Sequence, residues 1–134
     1  MSLYVDTSAL LKRYITEDDS EVFNDYLAAD PVWLTARHTA VETRRNLALL
    51  LGGSDLANAQ TQFVADWEGT NIIGLDVTVC DIAGDIAEIS GVRTLDALHL
   101  AAAQRVGGGN LPFLTADRRQ ARAARDMGWT VLGV

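Results

Sequence analysis

Leu3-Tyr4-Val5-Asp6-Thr7-Ser8-Ala9-Leu10-Leu11 decides the fold class. A short run of strand formers stops at a carboxylate, Thr7 and Ser8 offer cap oxygens, and Ala9 to Tyr14 continues in helix-forming residues. A strand that ends on an acid and turns straight into a helix opens an α/β unit. The alternation repeats outward from there. Helices are predicted over Ser20–Ala29, Thr39–Leu51 (ended by Gly52-Gly53), Ser54 or Asp55 to Trp67, Thr78–Ser90, Thr94–Arg105 and Arg118–Met127. Strands are predicted at Val32–Thr35, Asn71–Leu75, Pro112–Thr115 and Trp129–Leu132. Strand and helix alternate from end to end without repeat or linker, which predicts a mainly parallel sheet covered on both faces. In such sheets function lies beyond the carboxyl ends of the strands.

The 134 residues, 49% hydrophobic and 22% charged, suit one globular domain over residues 1–134 and exclude a disordered or low-complexity chain. One cysteine, Cys80, excludes an internal disulfide and a cysteine-based zinc site, and it suits a reducing cytosol. The longest apolar run, Leu47 to Leu51, falls far short of the roughly 20 residues that span a bilayer. Met1 to Asp6 carries no basic region, as a signal peptide would. The expectation is a soluble cytoplasmic protein with no membrane partner. Eighteen acids against eleven bases give a net charge of −7, which argues against adhesion to nucleic acid by bulk electrostatics. Nucleic-acid chemistry stays open, because surplus carboxylates can gather around metal ions.

Four acids stand out. Asp6 ends the first strand and Asp117 follows Phe113-Leu114-Thr115-Ala116 at the end of a later one. Either alone is an ordinary turn or cap residue, but two strand-end carboxylates on one sheet edge can approach each other. Asp96 lies in the first turn of a helix whose following residues are nearly all apolar, so it sits near a core and needs a partner there. His99 shares its helix face three residues on. Asp-x-x-His can ligate a metal directly, but a lone histidine more often holds a neighbour by a hydrogen bond. Glu42 lies within the Thr39–Leu51 helix, where periodicity alone reads it as a solvated partner of Arg45 or Asn46.

If the four meet, they raise one another's pKa values unless divalent cations neutralise them. Hard oxygen ligands without nearby histidine or cysteine sets select Mg²⁺ or Mn²⁺ over Zn²⁺. Such ions activate water and clamp the attacking and leaving oxygens of a phosphodiester. Of the eleven cations, Lys12, Arg13, Arg44, Arg45, Arg93, Arg118 and Arg119 neighbour these acids in sequence, a candidate phosphate-binding rim around the metal centre. Lys12, Arg13, Arg45, Arg93 and Arg118 are the candidate phosphate contacts.

Tyr4-Val5-Asp6-Thr7-Ser8-Ala9-Leu10, Thr39-Ala40-Val41-Glu42, Arg93-Thr94-Leu95-Asp96-Ala97-Leu98-His99-Leu100-Ala101 and Phe113-Leu114-Thr115-Ala116-Asp117 together resemble, in order and spacing, the motifs of the PIN-domain family and its VapC-type toxin ribonucleases. The resemblance covers essentially the whole chain. It implies a three-layer α/β/α sandwich and one acidic pocket lined by Asp6, Glu42, Asp96 and Asp117. Asp6 and Asp96 would be the firmest Mg²⁺ ligands, Glu42 and Asp117 would bind partly through water, and Ser8 and Thr115 would orient acids or water. It further implies RNA cleavage to a 5′-phosphate and a 3′-hydroxyl, a homodimer, and inhibition by a small cognate antitoxin. An alternative of another class is a PIN-like RNA-binding or RNA-processing module with no toxin role. A receiver-like domain would need an acidic pair after the first strand and a late lysine, yet Lys12 is the only lysine. A dehalogenase-like phosphatase would need an Asp where Ser8 stands.

Overall fold

The computed structural model describes residues 1–134. Its elements run β1 (Ser2–Val5), α1 (Thr7–Leu11), α2 (Ser20–Ala29), β2 (Val32–Ala36), α3 (Thr39–Leu50), α4 (Gly53–Glu68), β3 (Asn71–Ile73), α5 (Val77–Ser90), α6 (Thr94–Gly107), β4 (Phe113–Leu114), α7 (Arg118–Asp126) and β5 (Val131–Leu132). All five strands are parallel, in the order β3-β2-β1-β4-β5. The chain winds outward from β1 to β3, then returns beside β1 and winds outward again through β4 to β5. The winding reverses between β1 and β4, the place where an open α/β sheet forms a crevice at its carboxyl edge.

The period of two along the strands divides two cores. Leu3 and Val5 of β1 and Leu114 of β4 pack with Leu10, Phe23, Leu27, Leu47 and Phe63 from α1 to α4. Tyr4 and Phe113 point the other way, onto Val79 and Ile86 of α5, Leu100 of α6 and Ala124 of α7. The result is a three-layer α/β/α sandwich around a sheet apolar on both faces. No helix is long and apolar enough to cross a membrane.

Local chemistry shifts several boundaries from their sequence expectation. Thr7 and Ser8 lie inside α1, and its cap is Asp6, whose Oδ1 accepts from the Ala9 N–H at 3.0 Å. The helix ends at Leu11 because the next amides bond three residues back, Arg13 to the Leu10 carbonyl and Tyr14 to that of Leu11. Likewise Thr94 is the first residue of α6 and not its cap; Arg93 stands there with no side-chain cap bond. α6 runs past Arg105 to Gly107 and stops where Gly108 takes the left-handed conformation, φ +54°. α5 starts one residue early because Asp76 Oδ1 caps the Val79 N–H at 2.9 Å. Gly52, expected to end α3, instead stands at the N-cap of α4.

Candidate active site

Register builds the first part of the site. Val5 pairs with Leu114 across β1 and β4, so the next residues, Asp6 and Thr115, emerge side by side at the carboxyl edge. The Asp6 carboxylate is 3% exposed and fully engaged. Its Oδ1 accepts from Ser8 Oγ at 2.7 Å and from the Ala9 amide, and its Oδ2 accepts from Thr115 Oγ1 at 2.5 Å. The two hydroxyls are themselves held, Ser8 Oγ by the Ala116 N–H at 2.9 Å and Thr115 Oγ1 by the Asp117 N–H at 3.0 Å. Burial pushes the Asp6 pKa up, against the field of His99 and the bonds from Thr115, Ser8 and Ala9.

α3 and α6 bring Glu42 and His99 to the same place. Glu42 Oε1 accepts from Thr7 Oγ1 at 2.6 Å and from His99 Nε2 at 2.9 Å. Since the carboxylate only accepts, Nε2 is the donor, and His99 Nδ1 is hydrogen-bonded to the buried Tyr4 hydroxyl at 2.8 Å. Burial alone would raise the Glu42 pKa, but the His99 and Thr7 bonds outweigh it and hold the group below its ordinary value. His38, at the N-cap of α3, lies 3.6 Å from Glu42 Oε1 and donates through Nε2 to the Leu95 carbonyl at 3.1 Å. Burial, then the nearby charge of His99, lowers its pKa to about 4. Arg45 and Asn46 are not Glu42's side-chain partners; Asn46 Nδ2 bonds the Glu42 backbone carbonyl at 2.8 Å.

Asp96 and Asp117 complete the rim. Asp96 is half-buried, and desolvation raises its pKa against the Arg93 guanidinium, whose Nε lies 3.3 Å from Oδ2. Another Arg93 nitrogen lies 3.7 Å from Asp117 Oδ2, so this cation bridges the two acids. Asp117 also caps α7, accepting from the Arg119 and Gln120 amides at 2.8 and 3.3 Å. Gln120 is completely buried and ties α7 to α6 by donating to the Asp96 carbonyl at 3.1 Å.

Asp6, Glu42, Asp96 and Asp117 line one cavity of about 180 Å³, together with Thr7, Ser8, Arg93 and His99. Carboxylates that meet from four elements suit a hard divalent cation. The premise that no histidine stands near the acids fails, because the donor atoms of His38, Glu42 and His99 lie within 4.8 Å of one another. His99 is committed to Glu42 and Tyr4 and so orients Glu42, while His38 Nε2 bonds the Leu95 carbonyl and its Nδ1 is buried without a partner. Tyr4, Thr7, His38 and Gln120 carried no functional signal in the sequence. Only the register and the helix packing give them a role.

The basic residues divide. Lys12 Nζ sits between Glu17 and Asp19, at 3.2 and 2.7 Å. Arg13 grips Asp66 through two nitrogens at 2.6 and 3.0 Å, and Tyr14 donates to the same carboxylate at 2.8 Å. Neither Lys12 nor Arg13 lines the acid cavity, and neither does the exposed Arg45. Arg93 does, and Arg118 lines a cleft beside it.

Residues 3–126 match the family model described as PIN domain. Ribonuclease VapC46 of Mycobacterium tuberculosis is 31% identical over 131 residues, covering 98% of this chain and 96% of the relative. Among solved structures, FitAcB from Neisseria gonorrhoeae superposes with a TM-score of 0.71 at 21% identity, over 99% of this chain and 97% of that one. A toxin–antitoxin complex from Klebsiella pneumoniae gives a TM-score of 0.66 at 16% identity, over 86% of each chain. With four acids converging at the sheet's switch point and a family match spanning that whole architecture, the chain belongs to the PIN domain family, among its VapC-type ribonucleases.

Proposed function

We propose that the chain is a Mg²⁺- or Mn²⁺-dependent endoribonuclease built as one catalytic unit over residues 1–134, the toxin of a type II toxin–antitoxin pair. The observation that carries the chemistry is the shared cavity of Asp6, Glu42, Asp96 and Asp117. Asp6 and Asp96 would hold the cation directly, while Glu42 and Asp117 complete its shell, partly through water. When bound, the ion polarises a phosphoryl oxygen and makes a water acidic enough to attack at neutral pH.

The chain's own residues do the rest. Ser8, Thr115 and the Ala9 amide fix both Asp6 oxygens, so the carboxylate cannot rotate away. His99 and Thr7 orient Glu42 to accept the proton of the attacking water. Water oxygen bonds to phosphorus, the P–O3′ bond breaks, and the departing oxygen takes a proton, leaving a 5′-phosphate and a 3′-hydroxyl. Arg93 and Arg118 are proposed to hold flanking phosphates; the ion pairs of Lys12 and Arg13 speak against the same role for them.

A small antitoxin is the proposed partner, supported by the likeness to the Klebsiella pneumoniae complex. A homodimer is proposed as the working form. The test is to add Mg²⁺ or Mn²⁺ to purified protein with labelled RNA, using Asp6→Asn as control. Cleavage that requires the metal and disappears in the variant supports the reading, and wild-type behaviour equal to the variant's overturns it.

A further inference from the structure

Resting on this ribonuclease reading, we propose that a cleft beside the acid cavity, walled by Arg118, Arg119 and Arg122 of α7, binds the phosphates of single-stranded RNA on one side of the scissile bond. The cleft encloses about 630 Å³ between the end of α5, the start of α6 and α7. Asp96 and Arg93 line both this cleft and the acid cavity, so the two are continuous. A strand whose scissile phosphate lies among the acids runs directly into it.

Charge points to the occupant. The protein carries a net charge of −7, yet four of its eleven cations face this one cleft, against two acids, Asp96 and Asp126. Arg118, Arg119 and Arg122 are exposed, and none forms an ion pair although eighteen acids are present. Lys12 and Arg13, by contrast, are spent on carboxylates. Arg118 and Arg122 lie one turn apart on α7, where like charges repel, an arrangement that an anion relieves. The end of α7 contributes little itself, since Asp117 already takes the Arg119 and Gln120 amides. Guanidinium groups therefore supply the attraction, and several unpaired cations in a row suit a polyanion.

The test is fluorescence anisotropy of a fluorescein-labelled single-stranded RNA oligonucleotide, in EDTA, across a KCl series. Each of Arg118→Ala, Arg119→Ala and Arg122→Ala is expected to flatten the slope of log affinity against log salt by about 0.7, and the triple variant by about 2. At low salt the triple variant binds about tenfold more weakly or worse. The triple lysine replacement keeps the charges and restores the salt slope, which separates a phosphate contact from a packing defect. Arg105→Ala, at the opposite end of α6, serves as the control for bulk charge. Wild-type affinity and slope in the triple variant overturn the proposal, as do an equal effect of Arg105→Ala or no measurable binding by the wild type. Binding is read without metal, so a failure to cleave RNA in Mg²⁺ or Mn²⁺ would instead remove the nuclease reading.

Discussion

Asn at position 6 removes one charge from a cavity shared by four carboxylates and keeps the side-chain shape. The cap of α1 survives, since Asn ranks with Asp there. Oδ1 still accepts from Ser8 and the Ala9 amide. The new amide nitrogen donates to Thr115 Oγ1, and the Thr115 proton passes to Ser8 Oγ, 3.2 Å away. Three charge-assisted bonds become neutral ones, a loss of about 1 kcal/mol each. Against that stands the desolvation of a fully buried carboxylate, of order several kcal/mol, together with repulsion from the other three acids. The balance favours metal-free Asp6→Asn by about 1–2 kcal/mol, or a melting temperature about 4–8 °C higher.

The sign has a pH signature. A carboxyl whose folded pKa exceeds its unfolded value destabilises the protein when ionised, and the cost fades as pH falls through the folded value to below 3.8. The variant's advantage is therefore largest at neutral pH and shrinks on acidification. Thermal melts in EDTA across that range measure it. Saturating Mg²⁺, at about one hundred times its Kd, stabilises the wild type by about 2.7 kcal/mol and leaves the variant unmoved. Cleavage falls by about a thousandfold, equivalent to about 4 kcal/mol of barrier. A lower melting point than wild type in EDTA, or an advantage independent of pH, refutes the reasoning.

Thr115→Val deletes the donor to Asp6 and the acceptor of the Asp117 amide; it costs about 1–3 kcal/mol in chemical denaturation and about 10- to 100-fold in cleavage, and Thr115→Ser restores both. Glu42→Gln loses less activity than Asp6→Asn in single-turnover cleavage, as the proposed contact of Glu42 with the ion, partly through water, predicts. Glu42's lowered pKa contributes stability that is present above 4.5 and lost as pH falls through the folded value, so the cost of Glu42→Gln shrinks on acidification in the same melts. Arg13→Ala breaks the doubly bonded Asp66 pair and costs about 1–2 kcal/mol, with less effect on RNA affinity than Arg118→Ala. Gly133→Ala drives a Cβ into the Thr115 carbonyl at φ +105°, and the unfolding free energy from chemical denaturation drops by about 2 kcal/mol or more.

Alternating strand and helix patterns were legible because each strand is short and largely apolar, and β1, β3 and β5 run directly into an acid or glycine. All twelve elements were anticipated, with errors at their ends. The Asp6 error is instructive. Thr7 and Ser8 look like caps by type, but a strand-end Asp competes for the same amide, and its win frees both hydroxyls for Glu42 and Asp6. Glu42 looked solvated because its partners, Thr7 and His99, lie 35 and 57 residues away, where helical periodicity carries no signal. The rim suffered from the opposite fault. Lys12 and Arg13 are near Asp6 in sequence, yet the turn after α1 delivers them to Glu17, Asp19 and Asp66. Arg119 belongs to the candidate rim by its place beside Asp117 in sequence, whereas Arg122 joins it only through the cleft along α7.

Thr115 secures Asp6 across a sequence separation of 109. During synthesis Asp6 leaves the ribosome 109 residues before Thr115, its clamp just beyond β4. A nascent polypeptide interrupted before that point cannot assemble the catalytic pocket, whatever its helices have already formed. A fragment that stops short of Thr115 therefore leaves the Asp6 carboxylate without the donor to its Oδ2.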